Sequence, residues 1–303
     1  MMTYGWIVYN GSLPGNKFLD FAEWLQHAAA RAGSKADIIR NNDLLATMQT
    51  DGFSLLKPDM VPLPDYCIFT DKDLYLARQL EWMGIPVFNK AKVIEISDDK
   101  IATHQALAAK RLPMPKTIAA PKTFLQDSPL EMEQLTKAAK YLGFPMVVKE
   151  AFGSFGQQVY LVHSMEELVE QVKQIGGRPF LFQEFVQTSV GKDLRLQVAG
   201  ESVIAAVKRT AVDDFRANVT NGGKMEAYTP TQTEIQLAIE ATKAIGADFA
   251  GVDLLYGTGG SPIVCEVNSN AHIHNLYDAT KINAADAMVQ DVLQKTREGR
   301  NNK

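Results

Sequence analysis

Residues 251–270 read GVDLLYGTGGSPIVCEVNSN: two apolar runs joined by a glycine-rich turn, each broken by acidic or amide residues. Side chains alternate faces along a strand, so Glu266 and Asn268 are expected to point one way and Ile263, Cys265 and Val267 the other. If GVDLLY pairs with PIVCEVN across the turn at 257–261, Asp253 joins the face of Glu266 and Asn268. Two carboxylates on a half-buried sheet face repel and cost several kcal/mol of desolvation unless a cation neutralises them. Oxygen ligation with few carboxylates suits Mg²⁺, whose other positions are filled by water and phosphate oxygens. The alternative is an edge hairpin with a solvated polar face, and these twenty residues leave both readings open.

The bulk properties restrict what surrounds this hairpin. A chain of 303 residues holds two or three units of ordinary size, and its 22% charged and 46% apolar residues are those of a globular protein. A net charge of −4 argues against a nucleic-acid-binding body. No stretch approaches the eighteen apolar residues of a membrane span, and MMTYGWIVYNGSLPGNKF lacks a secretory pattern, so a cytoplasmic location is expected. The two cysteines, Cys67 and Cys265, read as small core residues of a reduced compartment and give no metal-site spacing.

The first ninety residues alternate strand and helix signals. YGWIVYN, ADIIR, DYCIFT and IPVFN are short apolar runs, while Phe18, Phe21, Leu25, Ala28 and Ala29 mark one helical face that ends near Gly33. This rhythm predicts a small parallel sheet covered by helices. Its first loop, NGSLPGN, lacks the glycine spacing of a dinucleotide site, which places the nucleotide elsewhere. A helical linker at 98–117 is broken by Pro113 and Pro115. FPMVVKEAFGSFGQQVYLV then reads as strand, glycine loop and strand, a hairpin flap whose amides can lie over phosphates. RPFLFQEFV is another strand. DLRLQVAGESVIAAVKRTA is a hairpin turning at Gly200, with Asp193, Arg195 and Gln197 on one face and Leu194, Leu196 and Val198 on the other. A Thr cap opens and Gly246 closes the helix within 229–246, and a last helix covers Lys281 to Arg297.

Several cations fall where burial is costly: Lys149 after PMVV, Arg195, Lys208, Arg209, and Arg216 in DDFRANVTNGG. Singly, each reads as an ion pair on a sheet face. Together, facing Asp253, Glu266 and Asn268 beside a glycine flap, they describe a site for a nucleoside triphosphate and its metal ions.

The order VVKEAFGSFGQQV, FQEFV, GKDLRLQVAGESVIAAVKR, DDFRANVTNGG, AGVDLLY and VCEVN resembles the ATP-grasp superfamily and, within it, the RimK-type amino-acid ligases, from about Ser97 onward. The resemblance implies an α/β and α+β architecture: a Rossmann-like parallel-sheet domain at 1–96, a central subdomain with the glycine flap at 97–187 and a metal-bearing subdomain at 188–303. It implies that Lys100 and Lys149 contact ATP, that Gly153, Ser154, Phe155 and Gly156 form the flap, and that Glu184 and Phe185 form the adenine hinge. It further implies that Asp193 and Arg195 lie near the ribose, that Arg209, Arg216 and Asn218 stabilise the phosphoryl and acyl-phosphate groups, and that Asp253, Glu266 and Asn268 hold two Mg²⁺ ions, Mn²⁺ being a substitute. The implied reaction is ATP-driven ligation of a carboxylate to an amino acid, with a protein tail, peptide or metabolite as carboxylate acceptor, in a homo-oligomer. A D-alanine-type dipeptide ligase and a nucleotide-binding regulatory protein are the alternatives. One departure is the segment NSNAHIHNLYDATKIN, which replaces the Ser-Pro-Gly turn of the ribosomal-protein-modifying members and places His272 and His274 just past the metal site.

Overall fold

The computed structural model describes residues 2–123, 131–153, 156–217 and 223–301. Its first part contains β1 (Tyr4–Tyr9), α1 (Lys17–Arg31), β2 (Lys35–Arg40), the hairpin β3 (Leu45–Gln49) and β4 (Gly52–Leu56), β5 (Tyr66–Phe69), α2 (Leu74–Trp82) and β6 (Val87–Phe88). Strands pair in parallel in the order β2-β1-β5-β6, as the alternating rhythm predicts. The β3–β4 hairpin was not foreseen; its polar and apolar residues follow no clear alternation, and most of them are exposed.

Helices α3 (Ala91–Asp98) and α4 (Lys100–Ala109) follow, the second capped by the Asp99 carboxylate, which accepts from the amides of Ile101 and Ala102. The middle part comprises β7 (Thr117–Ala119), α5 (Met132–Leu142), β8 (Met146–Glu150), β9 (Val159–Val162), α6 (Met165–Ile175) and β10 (Phe180–Glu184), its antiparallel sheet ordered β7-β10-β8-β9. The last part comprises β11 (Lys192–Ala199), β12 (Ser202–Thr210), β13 (Lys224–Ala227), α7 (Gln232–Ile245), β14 (Phe249–Tyr256), β15 (Pro262–Asn268), α8 (His274–Thr280) and α9 (Ala284–Asn301). Its five strands are antiparallel in the order β13-β12-β11-β14-β15. Thr231 and Glu234 close a capping box at the start of α7, and Gly246 ends it in the left-handed region, as the sequence signals require. Among the described residues no helix is long and apolar enough to cross a membrane.

The cores are unequal in reach. The core of the middle sheet is drawn only from residues 118–182. A second core lies between the third sheet and α7. A third joins α1, α9, the first sheet and the third sheet, with Leu25, Phe249, Met288 and Val292 among its members. The end of the chain therefore packs against its beginning.

Asn89, fully buried, seals that junction. Its amide nitrogen donates to the carbonyls of Phe249 (2.8 Å) and Ser269 (3.1 Å), and its oxygen accepts from the amide of Asp248 (2.7 Å). One side chain thus satisfies backbone groups of β14 and of the loop after β15. Replacing Asn89 by Leu leaves those groups buried and unpaired, at about 1–3 kcal/mol each. Urea unfolding of Asn89→Leu is expected to show a stability lower by about 3 kcal/mol or more, read as a lower midpoint with an unchanged slope.

Candidate active site

Strand register builds the floor of the site. Arg195 on β11 stands opposite Asp253 on β14, Asp253 opposite Glu266 on β15, and Asp193 on β11 opposite Arg209 on β12. Leu194, Leu196 and Val198 enter the core below, so β11 presents the two faces its alternation predicts. Beyond Asp253 the expected alternation of β15 fails. Register slips there so that Leu254 pairs with Val264, leaving Cys265 as an extra residue. Val264 and Val267, three positions apart, both enter the core, while Cys265 turns into the cleft beside Glu266 and Asn268 instead of away from them. A bulge inside a short apolar run carries no local sequence signal, which is why strict period-two reading misplaces Cys265.

Four charges lock this floor. Arg195 donates from Nε and Nη2 to both oxygens of Asp253, each at 2.7 Å. Arg209 donates from Nε to Asp193 (2.7 Å) and from Nη2 to Asp253 (2.9 Å). Asp253 is only 5% exposed and Arg209 only 7%. Burial alone would raise the Asp253 carboxyl, but the Arg195 and Arg209 guanidiniums outweigh it and hold the group below the usual carboxylate range. Burial opposes the charge of Arg209, and Asp253 and Asp193 together restore and strengthen it.

The Glu266 carboxylate and the Asn268 amide, both half-buried, accept or donate no side-chain hydrogen bond among the described residues. Lys149 faces them from β8, only 8% exposed, its Nζ 3.8 Å from the Cys265 sulfur. Lys100, at the start of α4, donates from Nζ to the carbonyl of Gly153 (3.0 Å). Burial lowers its pKa, Glu266 opposes that shift and Lys149 adds to it. Lys149, which taken singly reads as an ion pair on a sheet face, is buried between the middle and third sheets.

Of the flap, Gly153 has φ +135°, and a Cβ there would meet the Gln158 side-chain oxygen at 2.2 Å. Ser154, Phe155 and Asn218 lie outside the described residues. Arg216 pairs with Asp214 and also donates to the carbonyl of Gly156, so the third sheet's loop holds the flap's far end. At the hinge between middle and third sheets, Glu184 accepts from the amide of Lys116 (2.8 Å), and the Phe185 ring meets Phe215 edge-on at 6.1 Å.

Sequence reasoning missed His104 and Gln183. His104 lies four residues after Lys100 on α4, the one helical spacing that could have flagged it. Its Nδ1 donates to the Lys100 carbonyl (2.7 Å), and its Nε2 accepts from Gln183 (2.8 Å), which also donates to Thr117 (2.9 Å). This chain fixes a neutral tautomer under the two lysines. It also missed Lys17 and Asp71, which line the cleft from the first part of the chain; no local signal marks them. The resulting cleft, about 1220 Å³, is walled by the middle and third sheets and by loops and helices of the first part.

The donor set fits a hard cation. No three His, Cys, Asp or Glu groups converge on a metal position among the described residues. Glu266 and Asn268 nevertheless offer uncommitted oxygens on one sheet face, with Asp253 next to them in register. Asp253 could add an oxygen only by sharing one with its arginines. When bound there, Mg²⁺ would screen the phosphate charges and orient the terminal phosphoryl group.

The sheet pair closing over this cleft defines an ATP-grasp fold. A D-alanine–D-alanine ligase from Bacillus anthracis, solved with ATP, superposes with a TM-score of 0.71 at 15% identity, covering 99% of each chain. The ATP-grasp ligase PsnB, solved with a minimal precursor, Mg and ADP, gives a TM-score of 0.69 at 13% identity over 97% of this chain and 98% of that one. Residues 97–292 match the family model described as a RimK-like ATP-grasp domain. A probable alpha-L-glutamate ligase of Legionella pneumophila (strain Corby) is 37% identical over 73% of this chain and 71% of its own length. One of Parasynechococcus marenigrum is 36% identical over 73% of this chain, but the match spans only 46% of that longer protein. The chain belongs to the RimK-like ATP-grasp ligases.

Buried His104 and half-buried His272 make stability depend on pH. Burial first, then Lys149, pushes His104 down to about 4; burial, then Lys17 and Arg195, does the same to His272. Between about pH 6.5 and 4 the unfolded chain binds more protons at these groups than the folded one, so stability falls as pH falls through that window, by up to about 1.4 kcal/mol per unit for each. Urea midpoints at pH 7 and pH 5 are expected to differ less in His104→Gln and in His272→Gln than in the unaltered protein.

Proposed function

We propose that the protein joins a carboxylate to the amine of an amino acid such as glutamate, with ATP converted to ADP and phosphate. The observation that carries this reading is the half-buried, uncommitted pair Glu266 and Asn268 facing Lys149 and Lys100 across a cleft between the middle and third sheets. A carboxylate and an amide left without partners on a sheet face are costly unless a cation and phosphate oxygens complete them. The units 1–96, 97–187 and 188–303 act in this reading as substrate wall, nucleotide flap and metal floor.

In the proposed reaction the substrate carboxylate attacks the terminal phosphoryl group in line and forms an acyl phosphate, while ADP leaves. Lys149 and Lys100 neutralise phosphate charge on the middle-sheet side, and Arg216, already bound to Gly156, brings a third positive charge as the flap closes. The amine then adds to the acyl carbonyl, the oxyanion re-forms the carbonyl as the bond from acyl carbon to phosphate oxygen breaks, phosphate departs with that electron pair, and the amine proton passes to solvent or phosphate. Arg209, its Nε and Nη2 held by Asp193 and Asp253, presents a fixed positive charge to the oxyanion without reorganising. Exclusion of water by the flap protects the acyl phosphate from hydrolysis.

The alpha-L-glutamate ligase names of the relatives support glutamate as the added residue, and the precursor bound to PsnB supports a peptide acceptor. The D-alanine-type alternative shares the fold with this chain at 15% identity, and no residue of the site favours it.

Glu266→Gln keeps the shape of the side chain and removes its charge. ADP release in the presence of Mg²⁺, ATP and an amino-acid pool is expected to fall by at least about 100-fold, with an unchanged unfolding midpoint. Retained turnover would remove the metal and triphosphate from this face.

A further inference from the structure

The hydrogen-bond chain through His104 has a direction, and within the reading of this cleft as a nucleotide site that direction governs what a base meets there. The Lys100 carbonyl can only accept, so the His104 Nδ1 that lies 2.7 Å from it carries the ring proton and Nε2 keeps its lone pair. Burial, and then the Lys149 charge, hold the ring neutral. Gln183 must therefore turn its amide nitrogen, not its oxygen, toward Nε2 at 2.8 Å. Thr117 imposes the same choice: its hydroxyl donates to the Pro115 carbonyl (2.9 Å), so its oxygen meets the Gln183 nitrogen (2.9 Å) as an acceptor. Both amide protons are spent, and a flipped amide would set its oxygen against two acceptors.

Strand register aims this amide. Gln183 on β10 stands between Thr117 on β7 and Val147 on β8, and Leu181, two positions earlier on the same face, stands opposite Lys149. Phe180 and Phe182 take the other face, into the core of the middle sheet. Gln183, Val147 and Lys149 accordingly line the cleft, and Glu184 and Phe185 follow at the hinge. Gln183 is 2% exposed and His104 4%, so packing holds both side chains in place. The Gln183 oxygen, Oε1, has no hydrogen-bond partner among the described residues. An acceptor left so in a buried wall is costly until a donor meets it.

We propose that His104 is a positioning residue that makes Gln183 present a lone acceptor to the nucleobase, so that the site takes a purine with an amine at C6 and rejects one with a carbonyl there. The 6-amine of adenine can donate to Oε1. The 6-carbonyl of hypoxanthine or guanine brings a second acceptor against it and leaves two oxygens unpaired in a wall closed to water. His104 acts through Gln183: without a bare ring nitrogen beside it the amide is free to turn, and its N–H groups then face the base.

Calorimetric titration with ADP and with inosine diphosphate, each with Mg²⁺, compares two nucleotides whose bases differ only at C6 and the adjoining N1 proton. The unaltered protein is expected to bind ADP about tenfold or more tightly than inosine diphosphate. Gln183→Met is expected to bring that ratio to about threefold or less. His104→Leu is expected to lower it by about threefold or more through weaker ADP binding, with inosine diphosphate bound within about twofold of its original affinity. A loosened pocket would instead weaken both nucleotides alike and leave the ratio standing. Unfolding midpoints show which variants fold, and the Gln183→Met comparison stands by itself should His104→Leu not. An unchanged ratio in folded His104→Leu overturns the role of His104, and an unchanged ratio in Gln183→Met overturns that of Gln183. Equal affinity for the two nucleotides in the unaltered protein overturns the base selection alone, whereas binding of neither overturns the nucleotide reading of the cleft as well.

Discussion

The site depends on one alternating set of charges, Arg195, Asp253, Arg209 and Asp193, laid across three adjacent strands. Each carboxylate accepts from a guanidinium on a neighbouring strand, and Asp253 accepts from two. Removing one member would leave its partner charged and buried, which is the expensive case for a buried ion pair. The arrangement therefore fixes strand register as well as charge, because a slip of one residue on β11 would send both its charged side chains into the core. Glu266, next in the row, inherits its position from that register while keeping its oxygens uncommitted.

Much of this was legible in the chain. Alternation along 192–199 put Asp193, Arg195 and Gln197 on one face, and the caps at Thr231 and Gly246 bounded α7 within a residue or two. The strand, loop and strand order around Gly153 separated this flap from a helix-backed phosphate loop. The less visible parts share a physical cause, since they depend on contacts between segments far apart in sequence. Cys265 turns inward through a bulge that only its partner strand defines. Lys17 and Asp71 reach the cleft because α9 and Asn89 press the first sheet against the third. His104 gains meaning only when Gln183, 79 positions later, meets its ring.

The bulge at Cys265 also reconciles two demands on β15. Val264 and Val267 must both enter the core against α7, while Glu266 and Asn268 must both face the cleft. A regular strand cannot place residues three apart on the same side. One additional residue shifts the phase between the core contacts and the polar ones, and its thiol fills the space next to Lys149.

The distribution of cores assigns unequal freedom to the parts. The first and third sheets share a buried apolar cluster and the three hydrogen bonds of the Asn89 amide, so they are joined through their interiors. The middle sheet keeps its own interior and meets the third part through Arg216 to Gly156, Lys149 beside Cys265 and the edge-on rings of Phe185 and Phe215. A nucleotide in the cleft would lie between a base knit together through its interior and a sheet whose own interior is separate from it.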